Sequence, residues 1–307
     1  MGQRDAGADA VKFQYYHAEN LITRDADPLP GLEEEYDSQF ERFAELELSR
    51  EEWTELVALA ERLDVDFAAS VFDQSAATFV AENSPFLKIA SGDLTHVPLL
   101  RTVAGMDVPV VLSTGFATTD EIRRAVDELG RDRLLLLHCV GSYPTAASGA
   151  NLQLIDRLKA EFGVPVGYSD HTAGIEAATA AVARDAPVVE KHFTLETDAE
   201  TGDHRLSATP EELSALVEQV ETVWRMFGDG DRSEPLDCER AIRDDARRSL
   251  ATSADIETGD TLTADTLTAL RPARGLSPLK FDAVVGKQAT RDIPAGEILS
   301  RDDIAGL

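Results

Sequence analysis

From Asp9 to about Thr194, short β-branched runs alternate with longer segments of helical spacing, and this alternation confines the chain to few folds. The strand candidates are DAVKFQY (9–15), DFAASVF (66–72), FLKIAS (86–91), PVVLSTG (109–115), RLLLLHC (133–139), PVGYSD (165–170) and PVVEKHF (187–193). Amphipathic stretches at 49–63, 118–130 and 174–183 lie between them, with apolar residues at helical spacing. Seven strands, nearly every one followed by a helix, predict a parallel α/β fold, best fitted by a (β/α)8 TIM barrel. Residues 208–228 read as a closing helix, with Thr209 as cap and Pro210 in its first turn.

Three of the later strands end in histidine: His138, His171 and His192. Their spacing is that of a strand–helix repeat, which would put all three imidazoles at one end of the sheet. That end is where α/β enzymes keep their chemistry. A single histidine there is more often structural. Several together, with Asp170 and Glu190 near, leave a divalent-metal site open, and imidazole with oxygen ligands suits Mn²⁺, Zn²⁺ or Fe²⁺.

Lys12 and Gln14 share one face of their strand, and Lys88 opens another strand just before Ser91-Gly92-Asp93. A lysine inside a parallel strand needs an anion, either a buried carboxylate or a ligand phosphate. Two such lysines beside Ser/Gly turns favour a phosphate site, and Ser113-Thr114-Gly115 and Ser169 add hydroxyl and backbone donors at further strand ends.

Charge excludes other classes. The chain has 57 acidic and 29 basic residues and a net charge of −28, so it repels nucleic acid and anionic membranes. The acids spread over all 307 residues, the pattern of a protein adapted to high salt. No secretory segment or membrane-length apolar run is visible, which reads as a soluble, cytoplasmic chain. Cys139 and Cys238 form no disulfide framework, and Cys139, in an apolar run, reads as a buried thiol.

Composition changes after residue 228. Residues 229–248 are polar and read as a linker. Residues 249–307 read as a small β-rich domain in which ADIETGDTLTADTL and RDIPAGEILSRDDI form a weak internal repeat.

The segments VKFQ (11–14), LKIASGDL (87–94), VLSTG (111–115), LLHCVGSYPT (136–145), GYSDHT (167–172), EKHFT (190–194) and GDHRLS (202–207) occur in the order found in sialic acid synthases. The tail from Arg247 resembles the C-terminal antifreeze-like (SAF) domain of that family. The resemblance covers nearly the whole chain. It implies a barrel, residues 1–228, that condenses phosphoenolpyruvate with an N-acetylated hexosamine such as N-acetylmannosamine. The products are a nine-carbon sialic acid, or a relative such as legionaminic or pseudaminic acid, and phosphate. It further implies that Lys12, Ser70, Lys88, Ser91, Ser113 and Ser169 cradle phosphoenolpyruvate. Gln14, Asp93, Tyr143 and Asp203 would surround the sugar, with Lys12, Gln14, Asp93 and Tyr143 serving catalysis. His171 and His192 would hold Mn²⁺ or Mg²⁺, and His138 would fall back to a structural role. Arg271 would reach the N-acetyl group from the SAF domain of a partner, in a domain-swapped homodimer.

The chain departs from the family in three places. Ser70-Val71-Phe72-Asp73 stands where a Thr-Pro-Phe step is usual, and Asp93 replaces a glutamate. Nothing before Asp9 corresponds to the family's opening strand, so the barrel is expected to lack its first strand and the chain to be incomplete or started late. The competing readings are a crippled barrel that only binds ligand and another phosphoenolpyruvate–aldose condensing enzyme.

Overall fold

All seven expected runs form strands: β1 Ala10–Tyr15, β2 Asp66–Val71, β3 Leu87–Ile89, β4 Val110–Ser113, β5 Leu134–Cys139, β6 Val166–Asp170 and β7 Val189–Lys191. The structure is a computed structural model that describes residues 5–28, 36–195 and 202–307. The strands pair in parallel in the order β1 to β7, giving a TIM-barrel-like sheet. Among the described residues no ladder joins β1 to β7. The two edges nevertheless curl toward each other, because Lys12 on β1 reaches Glu190 on β7. The segment before β1 leans the same way: Ala6 is buried with Ala178, Leu213 and Leu216 of the helices that follow β6 and β7.

Side-chain parity decides what enters the barrel. On β1, Phe13 and Tyr15 pack against Trp53, Phe67 and Phe79. Lys12 and Gln14 therefore point to the other face, into the lumen. In-register neighbours of parallel strands share a face, so the pairing Gln14–Ser70–Lys88 puts Ser70 and Lys88 there too. The pairing Cys139–Ser169–Glu190 does the same for β5, β6 and β7. His138 and Tyr168 pair on the opposite, helix-facing side.

Helix starts follow sequence signals. Ser49, Thr118 and Thr209 each cap a helix and are answered by Glu52, Glu121 and Glu212 in full capping boxes, each cap contributing about 1 kcal/mol. Asp73 caps the helix Gln74–Asn83 and also accepts from His17 and Asn20, which ties the loop after β1 to the loop after β2.

The second compact unit is Gly228–Leu307. Residues 229–248, expected as a linker, carry a helix, Asp237–Ala246, and Asp244 of that helix accepts a hydrogen bond from the backbone of Ala273. The helix escapes sequence reading because it is mostly charged, its few apolar residues are small or isolated, and none is buried. The unit contains an antiparallel pair, β8 Ser249–Thr252 with β9 Leu267–Leu270. The internal repeat is real in space: Ile256 and Ile293 exchange both backbone hydrogen bonds at 2.9 Å. Leu262, Leu267, Leu299 and Ile304 fill the core beside them.

Candidate active site

The lumen row assembles a cation-rich pocket around one carboxylate. Glu190 Oε2 lies 3.4 Å from Lys12 Nζ and 3.5 Å from Lys88 Nζ, and Ser169 donates to Glu190 Oε1 at 2.6 Å. Burial would push the Glu190 carboxyl up, but Lys88 and Lys12, with Ser169, hold it well below the usual carboxylate range. Burial pulls the Lys88 ammonium down, against the attraction of Glu190. Two lysines on the lumen face of β1 and β3 thus meet at one buried carboxylate, the first of the two kinds of anion that the sequence left open for them.

Beside it, the Gly115 N–H donates to Ser91 Oγ at 3.1 Å and to Cys139 Sγ at 3.2 Å. A Cβ at residue 115 would come within 2.8 Å of Ser91 Oγ, so only glycine lets this backbone N–H approach. Cys139 is buried, as expected, and it lines the pocket. Ser113 is buried at the end of β4, in register with Leu137.

A second cluster lies at the ends of β5, β6 and β7. The His171 and His192 rings are 5.3 Å apart, and Tyr143 lies 4.2 Å from the His171 ring and 6.1 Å from that of His192. His171 Nδ1 is 2.8 Å from the Val140 carbonyl, which can only accept, so Nδ1 carries the proton and Nε2 keeps a free lone pair. His192 Nδ1 is 3.7 Å from Asp203. Burial pushes both imidazoles down, His192 to about 4 against the pull of Asp203, so both are neutral near pH 7. Burial also lifts the Tyr143 phenol to about 12. The turn bearing His171 is fixed by Asp170, which accepts from the Thr172 N–H and hydroxyl and pairs with Lys191 at 2.9 Å on the helix-facing side.

Asp93 ends the turn Ser91–Asp93, and its carboxyl is raised by burial although His96 stands 3.5 Å away. His138 turns away and binds the Ala150 carbonyl at 2.8 Å, a structural role. Arg271 lies exposed in the second unit, just past β9. Glu190 is the residue whose role sequence reasoning missed. Its lumen-facing parity with His192 was the available signal, but its partners lie on β1 and β3.

Among the described residues, no group of three or more His, Cys, Asp or Glu side chains converges as a metal cage. Two neutral imidazoles, one with its proton committed to a backbone carbonyl, nevertheless fit a divalent ion that draws further ligands from substrate or water.

Known proteins resemble this chain over most of its length. The chain is 40% identical over 307 residues to an uncharacterized protein of Methanocaldococcus jannaschii, covering 99% of this chain and 88% of that one. It is 35% identical to the N,N'-diacetyllegionaminic acid synthase of Legionella pneumophila, covering 96% of this chain and 86% of that protein. The solved N-acetylneuraminic acid synthetase of Leptospira borgpetersenii superposes with a TM-score of 0.68 at 33% identity, covering 78% of this chain and 81% of that one. Residues 3–232 match the NeuB family and residues 247–305 the SAF domain, so this chain belongs to the NeuB family of sialic acid synthase-type proteins.

Proposed function

We propose that this chain condenses phosphoenolpyruvate with an N-acetylated hexosamine, N-acetylmannosamine or a relative, to give a nonulosonic acid and phosphate. The observation that carries the reading is the convergence of Lys12 and Lys88 on one anionic position in the lumen. A trianionic substrate needs two cations and nearby hydroxyls there, which Ser70, Ser91, Ser113 and Ser169 supply.

In the reaction, C3 of the enol attacks the sugar aldehyde carbon and forms the new C–C bond. Water adds to the cationic C2 that results, and phosphate leaves by cleavage of its C–O bond. Lys12 and Lys88 hold the phosphate as its charge grows. Gln14, Tyr143 and Asp203 orient the sugar. Asp93, at the end of the Ser91–Asp93 turn, is assigned to the sugar and to catalysis. Nε2 of His171 together with His192 would hold Mn²⁺ or Mg²⁺, which when bound supplies Lewis acidity at that oxygen. Arg271 is assigned to the N-acetyl group in the barrel of a second copy, which makes the working unit a domain-swapped homodimer. The reading assigns the chain to the cytoplasm, where phosphoenolpyruvate is made; separately, no helix among the described residues is long and apolar enough to cross a membrane.

A second reading, ligand binding without turnover, is favoured by the edges of β1 and β7, which no ladder joins among the described residues. The deciding assay follows phosphate release from phosphoenolpyruvate and N-acetylmannosamine in high salt with Mn²⁺. Release that depends on the sugar supports the synthase. Binding of phosphoenolpyruvate with no release across a panel of acetylated hexosamines supports the second reading.

A further inference from the structure

We infer that Phe116 is a binding residue of the sugar subsite, an apolar wall at the barrel mouth beside Tyr143; the inference rests on the synthase reading above. Three features of this residue find no explanation in folding alone. Its φ is +61°, in the left-handed region that bulky side chains avoid at a cost of roughly 1–2 kcal/mol. Its ring is 73% exposed, so burial does not repay that strain. And the ring rests on the backbone of Gly141, where any Cβ would come within 2.0 Å of ring atoms. Glycine at 141 is what allows the ring to lie there.

The position connects the two halves of the site. Phe116 directly follows Gly115, whose N–H sits in the anion pocket with Ser91 and Cys139. Gly141 opens the loop after β5. That loop presents the Val140 carbonyl to His171 and stacks Tyr143 on the same ring. Phe116 therefore joins the Gly115 turn to the loop of Tyr143, a residue that is itself 48% exposed. Backbone strain kept at such a point belongs to function more often than to stability. Two exposed aromatic rings, one resting on the loop that carries the other, suit a ligand with polar edges and carbon-bound hydrogens on its faces, which describes an N-acylated hexosamine.

The test compares the full chain with Phe116→Gly and Phe116→Asn, both tolerant of the left-handed backbone, and with Phe116→Leu. Steady-state phosphate release is measured with phosphoenolpyruvate and N-acetylmannosamine varied in turn, beside thermal midpoints. The expected result is a rise of about tenfold in the sugar KM for Phe116→Gly and Phe116→Asn. The phosphoenolpyruvate KM should stay within about twofold, the thermal midpoint should not fall, and Phe116→Leu should recover part of the sugar affinity. A sugar KM unchanged within about twofold in an active Phe116→Gly chain would overturn this inference alone. So would a lowered thermal midpoint in both the Gly and Asn variants, which would make the ring a structural element. Failure of the unchanged chain to turn over any N-acylated hexosamine would overturn the synthase reading and this inference with it.

Discussion

Replacing Glu190 by glutamine removes the charge on which Lys12 and Lys88 converge while keeping an acceptor for Ser169. At 3.4 and 3.5 Å, each contact is worth about 5 kcal/mol of attraction at an effective dielectric of about 20, before desolvation is subtracted. Desolvation cancels much of this, and removing one member of a buried pair costs about 3–5 kcal/mol net. Lys88 is 4% exposed at its side chain, but Lys12 is 24% exposed and can lean into water. The expected loss is therefore at the lower end, about 3 kcal/mol.

The variant should also behave differently toward oxyanions. In the unchanged chain phosphate must compete with the resident carboxylate for the two ammonium groups. In Glu190→Gln it meets them uncontested. Inorganic phosphate at about 100 times its dissociation constant returns about 2.7 kcal/mol, nearly the whole loss. The assay is urea unfolding of both chains at fixed ionic strength, with chloride replaced by phosphate. The stability gap should be about 3 kcal/mol in chloride and under about 1 kcal/mol in phosphate. A gap that is the same in both media, or absent in chloride, would refute the reasoning, because Glu190 would then not be the internal occupant of an anion site.

Three further outcomes are expected. His192→Ala should weaken Mn²⁺ binding, measured by calorimetry, while His138→Ala, which removes a ring tied to Ala150, should leave it largely intact; equal losses would sink the assignment. Burial works against the charge on Asp73, yet hydrogen bonds from the Ala76 N–H, Asn20, His17 and Ser75 hold its carboxyl far below the ordinary 3.8, so its contribution is complete above that pH and disappears on acidification below it. The unfolding free energy of the unchanged chain should thus exceed that of Asp73→Asn by about 1–2 kcal/mol near neutral pH, and the difference should shrink below pH 3.8; a pH-independent difference would contradict the argument. The melting temperature should rise from low to molar KCl as screening relieves repulsion among the 57 carboxylates, and a flat or falling curve would contradict salt adaptation.

Much of the barrel was legible because period-2 alternation and helical spacing are local signals. The runs at 9–15, 66–72 and 133–139 carried the ladders they foretold, and Thr209-Pro210 capped the helix it announced. Some strand-end residues that stood out one by one in the sequence are brought together by the fold, Lys12 with Lys88 at Glu190 and His171 with His192. What stayed hidden was pairing. Glu190 and Asp170 both stood near the histidines in sequence. One points into the lumen to meet lysines of two distant strands, and the other points outward to Lys191. Register across a parallel sheet decides between these, and no single strand contains it. The polar helix Asp237–Ala246 was missed for the opposite reason, because it buries nothing that periodicity could reveal.

The scarcity of lysine gives the acidic composition a second meaning. The chain has six lysines, at 12, 88, 159, 191, 280 and 287, and three of them stand on strands of the barrel sheet. Surface ion pairing falls largely to arginine instead: Arg101 holds Glu128 with two hydrogen bonds, and Arg123 reaches Glu161. An exposed arginine satisfies carboxylates with a rigid fork, whereas lysine offers a compact charge that can sit at a point and give way to a ligand. Where lysine is this scarce, the three that stand on barrel strands mark positions whose chemistry arginine does not reproduce. Lys191 is locked to Asp170 and the Thr172 carbonyl, and so holds the turn that aims His171. Lys12 and Lys88 share one carboxylate that a substrate anion could replace. In a chain of this composition, a lysine inside a strand is a stronger pointer to a candidate site than it would be in a balanced one, and Lys12 and Lys88 are the two that converge in the lumen.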